Sequence, residues 1–144
     1  MAGISSILFV CSLNQVRSPM AATIARGLFG SHLFVRSAGI QKGTEDPIVT
    51  RVLSELDMPI IASEPKDLSQ LADANFDLVI VLSDAALPHI EEWAADKSLD
   101  VEYWPTEDPT QATGNQSQVL DAYRVVRDSL AKRIRERFTA HKGP

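Results

Sequence analysis

Ile7-Leu8-Phe9-Val10-Cys11-Ser12-Leu13-Asn14-Gln15-Val16-Arg17-Ser18-Pro19-Met20-Ala21 decides how this chain is read. Its apolar start predicts a buried strand over residues 4–10. A short polar loop follows, and Arg17–Phe29 carries the pattern of a helix. Proline close to the first helical position, here Pro19, marks a helix N-terminus. Cys11 therefore sits where a strand hands over to a helix. A thiolate is a nucleophile, and positive surroundings help it form. The helix N-terminus and the Arg17 guanidinium supply them, and the same groups hold a tetrahedral oxyanion in front of the sulfur. Arginine suits this because its fork engages two anion oxygens at once. The plainer reading, a small buried hydrophobe at a strand end, accounts for Cys11 but not for its setting.

Outward from this stretch, strands and helices alternate. Residues 33–35 read as a short strand ended by Ser37-Ala38-Gly39. Asp46 can cap a helix with Pro47 at its first position, and Val49, Val52, Leu53 and Leu56 keep the helical period. Residues 68–74 read as another short helix and residues 76–82 as the clearest buried strand. Residues 84–95 are helical despite Pro88, and 101–104 are a fourth strand. A final helix spans 117–138, with Val119, Tyr123, Val126, Leu130, Ile134 and Phe138 as a core stripe. The pattern predicts an α/β fold: a four-stranded parallel sheet flanked by helices on both faces, with an anion-binding loop after the first strand. No repeat or linker interrupts it, so residues 1–144 read as a single domain. Ligands of such sheets bind beyond the carboxyl ends of the strands. Cys11, Asp84 and Asp108 all follow strands and could share one rim.

Composition narrows the function. A net charge of −5 argues against nucleic acid as a partner. No apolar stretch is long enough to span a membrane, so none is expected as a partner. Residues 1–10 lack the features of a signal peptide, and one cysteine cannot form an internal disulfide. A reducing cytoplasm is the expected setting. His32, His89 and His141 are scattered, so no metal is expected. There is no Walker lysine and no dinucleotide fingerprint. Arg124, Arg127, Lys132, Arg133, Arg135 and Arg137 make the last helix basic, which reads as a solvated face.

The remaining candidates follow from what a thiolate attack on a phosphate ester requires. The leaving oxygen needs an acid, and the same group must later act as a base toward water. Asp108, in Trp104-Pro105-Thr106-Glu107-Asp108-Pro109, is the candidate, with Glu107 as its rival. A loop that turns several N–H groups toward one anion needs a residue at positive φ. Residues 11–17 hold no glycine, and Asn14 is the best substitute. Ser18 can donate its hydroxyl to the Cys11 thiolate or act as a plain helix N-cap. Ser37 can brace the loop or serve as a turn residue.

Val10 to Ala21, Ser37-Ala38-Gly39 and Asp108-Pro109 together resemble the low-molecular-weight protein tyrosine phosphatase family, in order and over nearly the whole chain. The resemblance implies a four-stranded parallel sheet, no cofactor, a phosphocysteine intermediate and a phosphorylated substrate, protein or small molecule. It makes Cys11 the nucleophile and Arg17 the phosphate clamp in a phosphate-binding loop of Ser12, Leu13, Asn14, Gln15, Val16, Arg17 and Ser18. It gives Asn14 and Ser18 supporting roles, and makes Asp108 the acid and base. The family includes arsenate reductases. Trp104 to Gly114 and Tyr123-Arg124-Val125-Val126-Arg127-Asp128 resemble theirs. Thioredoxin-coupled reductases need two further cysteines after the third strand, where Val81 to Ile90 has none. A single-cysteine reductase using an external thiol is the alternative enzyme. A non-catalytic phosphate- or phosphopeptide-binding module is the alternative from another class. Phosphotyrosine members carry aromatic residues after the Asp-Pro and after the Ser-Ala-Gly. Here those places hold Thr110-Gln111 and Ile40-Gln41-Lys42-Gly43-Thr44, and the usual glycine before the loop asparagine is Leu13.

Overall fold

Strand β1 (Ser6–Cys11) lies inside the sheet because both faces of its apolar run need cover. The computed structural model describes residues 3–58, 67–71 and 75–139. Its remaining strands are β2 (Phe34–Gly39), β3 (Leu78–Val81) and β4 (Asp100–Tyr103). The order is β2-β1-β3-β4, and every pairing is parallel. Side chains alternate along β1. Ile7, Phe9 and Cys11 join one core, while Leu8 and Val10 join the other. Helices α1 (Arg17–Phe29), α2 (Pro47–Ser54) and α4 (Gln116–Phe138) pack on the first. Helix α3 (Leu87–Ala94) and a 3-10 turn, Leu68–Leu71, cover the second.

From β1 the chain moves to β2 on one side, and after β2 it crosses back past β1 to β3 on the other. In an open parallel sheet this reversal opens a crevice beyond the strand ends. The segment after Cys11 occupies that position.

Three expectations change. Strand β2 does not end at Ser37-Ala38-Gly39 but runs through it, paired from Ser6↔Phe34 to Cys11↔Gly39. Small residues hide this because the ladder, not side-chain hydrophobicity, holds them. Helix α3 starts at Leu87 instead of residue 84. Pro88 sets that start, since a proline is tolerated in the first turn and breaks a helix interior. The helix expected over 68–74 is the 3-10 turn Leu68–Leu71, and residues 72–74 lie outside the described residues, as does His141.

The basic helix is also more than a solvated face. Arg127 is only 7% exposed. Its Nη1 donates to the Val52 carbonyl (2.8 Å) and to Glu55 (2.7 Å). Arg124 grips both oxygens of Glu55. Arg137 does the same to Glu102. Glu55 thus ties α4 to the end of α2. Hydrogen bonds from Arg124, then Arg127, hold its carboxyl down at about 2, against an ordinary 4.5. A depressed carboxylate stabilises the fold above its unfolded pKa, and that contribution is lost as pH falls through the folded value. Urea midpoints of the wild type should therefore fall between about pH 4.5 and pH 2. Glu55→Gln should be less stable at neutral pH and lose less on acidification. Parallel pH profiles for the two proteins would count against this tie.

Candidate active site

The loop after β1 is braced from three sides. On the β2 side, the amides of Ile40, Gln41 and Gly43 donate to the carbonyls of Cys11 (3.2 Å), Ser12 (3.0 Å) and Leu13 (2.8 Å). Each trans peptide then directs the following N–H to its opposite side. Asn14 takes a φ of 51°, the left-handed turn expected of it. Gly39 allows the close approach. A Cβ there would lie 2.5 Å from the Asn14 nitrogen and 2.6 Å from the Leu13 carbonyl carbon. Both are backbone atoms that cannot step aside. On the β3 side, Ser12 Oγ donates to the buried Ser83 (3.1 Å).

The third brace is internal. Ser18 Oγ lies 3.0 Å from Cys11 Sγ, accepts from Asn14 Nδ2 (2.8 Å) and reaches the Ala38 carbonyl (3.2 Å). A hydroxyl has one proton. Beside a protonated thiol it donates to Ala38, and beside a thiolate it donates to sulfur. Ser18 is not an N-cap: it lies inside α1, fully buried, and Val16 holds the cap position. No side chain among the described residues caps α1. A helix start without a side-chain cap is a common setting for anion binding. Ser37 is half-buried in β2, and the bracing expected of it comes from its neighbours: the Ala38 carbonyl and the missing Cβ of Gly39.

Arg17 and Asp108 come together through the segment after β4. Trp104 is buried edge-on against Phe9, with ring centroids 6.2 Å apart. Its amide donates to Val81 (2.8 Å), and the Thr106 amide to Leu82 (3.1 Å). These bonds fix the chain after β4 across the end of β3. Arg17 Nη1 donates to the Thr106 carbonyl (3.0 Å), and its Nη2 stands 3.9 Å from Asp108 Oδ2. Tyr123 of α4 donates to Asp46 (2.7 Å), which also caps α2. Burial, then the Asp46 bond, push that phenol well above its ordinary range.

Cys11, Ser12, Leu13, Gln15, Val16, Arg17, Asp108 and Thr110 line one cleft of about 180 Å³. Asp108 and Cys11 are 97 residues apart in sequence and share this wall. The rival acid Glu107 is exposed and lines a neighbouring hollow. Asp84 is exposed and does not line the cleft, so the three-residue rim reduces to two. Sequence reasoning missed Thr106, Thr110 and the steric role of Gly39. Only Gly39 left a trace, as a glycine inside Ser37-Ala38-Gly39.

Residues 6–141 match the family described as low molecular weight phosphotyrosine protein phosphatase, and the chain belongs to that family. Among relatives, the glutaredoxin arsenate reductase of Synechocystis sp. is 26% identical over 128 residues, 89% of this chain and 92% of that protein. The arsenate reductase of Bacillus subtilis is 28% identical over 137 residues, 90% of this chain and 92% of its own. The Erwinia amylovora tyrosine phosphatase amsI shares the fold, with a TM-score of 0.79 at 19% identity, covering 96% of this chain and 94% of that one.

Proposed function

We propose that the protein is a cysteine-dependent phosphomonoester phosphatase that works through a phosphocysteine. Arg17 and the loop amides bind the phosphate dianion. The Cys11 thiolate forms an S–P bond as the P–O bond to the leaving group breaks. Asp108 gives its proton to the departing oxygen. A water then attacks phosphorus, Asp108 takes its proton, and phosphate leaves with the thiolate restored. Positioning and electrostatic stabilisation of the equatorial oxygens carry most of the rate. The observation that supports this most is one cleft lined by the thiol, the guanidinium and one carboxylate, with the buried Ser18 hydroxyl 3.0 Å from the sulfur. Among the described residues no aromatic side chain lines the cleft, and the reading does not extend to phosphotyrosine preference. The proposed setting is the cytoplasm, where reductants keep Cys11 a thiol.

The names of the relatives favour a second reading, arsenate reduction. Arsenate bound to Cys11 needs two electrons, and a chain with one cysteine must take both from external thiols. Two assays separate the readings. Phosphate release from p-nitrophenyl phosphate and an alkyl phosphate is expected, without net thiol consumption. Arsenate with thioredoxin and its reductase should give no sustained turnover. Phosphate-ester inactivity together with steady thiol oxidation in arsenate and glutaredoxin would reverse the assignment.

A further inference from the structure

Asp108 is held in an unsymmetrical way. Its Oδ1 accepts from the Thr110 amide at 3.0 Å and from the Thr110 hydroxyl at 2.6 Å. Its Oδ2 faces Arg17 at 3.9 Å. Gln111 Nε2 donates in turn to Thr110 Oγ1 at 3.4 Å, which leaves that hydroxyl's own proton for the carboxylate. Pro109, between them, is buried and fixes the turn. Asp108 itself is not buried; its side chain is 33% exposed. Packing alone therefore does not choose which carboxyl oxygen faces the cleft.

We propose that Thr110 is a positioning residue that selects Oδ2 as the oxygen carrying the transferred proton. This rests on the phosphatase reading. An oxygen that already accepts two donors is a poor seat for a proton, so the acid form carries its proton on Oδ2. That is the oxygen facing Arg17, the phosphate clamp of the proposed reaction. During hydrolysis the same constraint presents Oδ2 to the attacking water. Without the Thr110 hydroxyl, the backbone amide still engages Oδ1, but the carboxyl can rotate and place its proton on either oxygen. Leaving groups that need protonation then lose rate, and those that do not are spared.

Single-turnover phosphoenzyme formation in wild type, Thr110→Val and Thr110→Ser tests this, with an alkyl phosphate and with p-nitrophenyl phosphate. Thr110→Val should slow the alkyl ester about tenfold, the upper end of what one ordinary hydrogen bond contributes, and p-nitrophenyl phosphate less than about twofold. Thr110→Ser, which keeps the hydroxyl, should restore the alkyl rate. In an Asp108→Asn background, Thr110→Val should change nothing further, because two residues acting through one proton are not additive. An active wild type with an unchanged alkyl-to-aryl ratio in Thr110→Val overturns the positioning role alone. So does an equal loss on both esters that serine fails to rescue. A wild type that releases phosphate from neither ester removes the phosphatase reading, and the role of Thr110 with it.

Discussion

Cys11→Ser should lose turnover by a factor on the order of 10⁶, as removal of a covalent nucleophile does, while still binding phosphate or vanadate. The two halves of this result have separate causes. A serine hydroxyl at this site has no general base beside it: Ser18 Oγ, which sits 3.0 Å from the sulfur, offers a donor and no proton acceptor of useful strength. The anion site depends on other atoms. The loop carbonyls remain committed to Ile40, Gln41 and Gly43, Asn14 keeps its turn, and Arg17 stays tethered to Thr106. Isothermal titration with vanadate and a phosphate-release assay on the same sample measure both halves. A serine variant of wild-type activity would remove Cys11 from the chemistry. A variant that neither turns over nor binds would place the anion site on the sulfur itself.

The second large effect is at the acid. Asp108→Asn should slow phosphoenzyme formation from an alkyl phosphate by about 10²–10⁴-fold, the usual worth of general acid assistance. The loss should shrink for p-nitrophenyl phosphate, whose leaving group departs with little protonation. Anion binding should change little, since the carboxylate opposes an anion and contributes no donor to it. Only the burst reads the acid role, because the later hydrolysis needs the same group as base. Glu107→Gln, on the exposed residue next door, should behave as wild type. If the alkyl ester is slowed by Glu107→Gln and not by Asp108→Asn, the carboxylate has been assigned wrongly.

How much of this was legible in the sequence varies with how local the determinant is. The loop was readable because its constraints lie within a few residues: an apolar strand, a thiol, a residue able to hold positive φ, and a helix start at Arg17. Asn14 at φ 51° follows from that local demand. Asp108 is placed in the cleft of Cys11, as the topology predicts by putting strand ends on one rim. The contribution of Gly39 was out of reach, since it depends on how closely β2 approaches Leu13 and Asn14 across the sheet. Strand β2 was read short for a similar reason: the ladder to β1 extends it through small residues with no hydrophobic signal. The basic stripe of α4 gave no hint that Arg127 turns inward, because the carboxylate and carbonyl that satisfy it come from α2 and the residue after it. Nothing in the sequence gives Thr110 a role, because its geometry to Oδ1 depends on how the chain turns after Pro109.

In the proposed reaction phosphorus becomes bonded to Cys11 Sγ. Rapid quenching of the wild type with an alkyl or aryl phosphate, followed by intact-mass and fragment mass spectrometry, tests it directly. A transient phosphoryl adduct is expected, confined to the peptide carrying Cys11, absent in Cys11→Ser treated for the same few milliseconds, and longer-lived in Asp108→Asn with p-nitrophenyl phosphate. Steady phosphate release with no adduct on Cys11 at any quench time, in wild type and in Asp108→Asn alike, would contradict it.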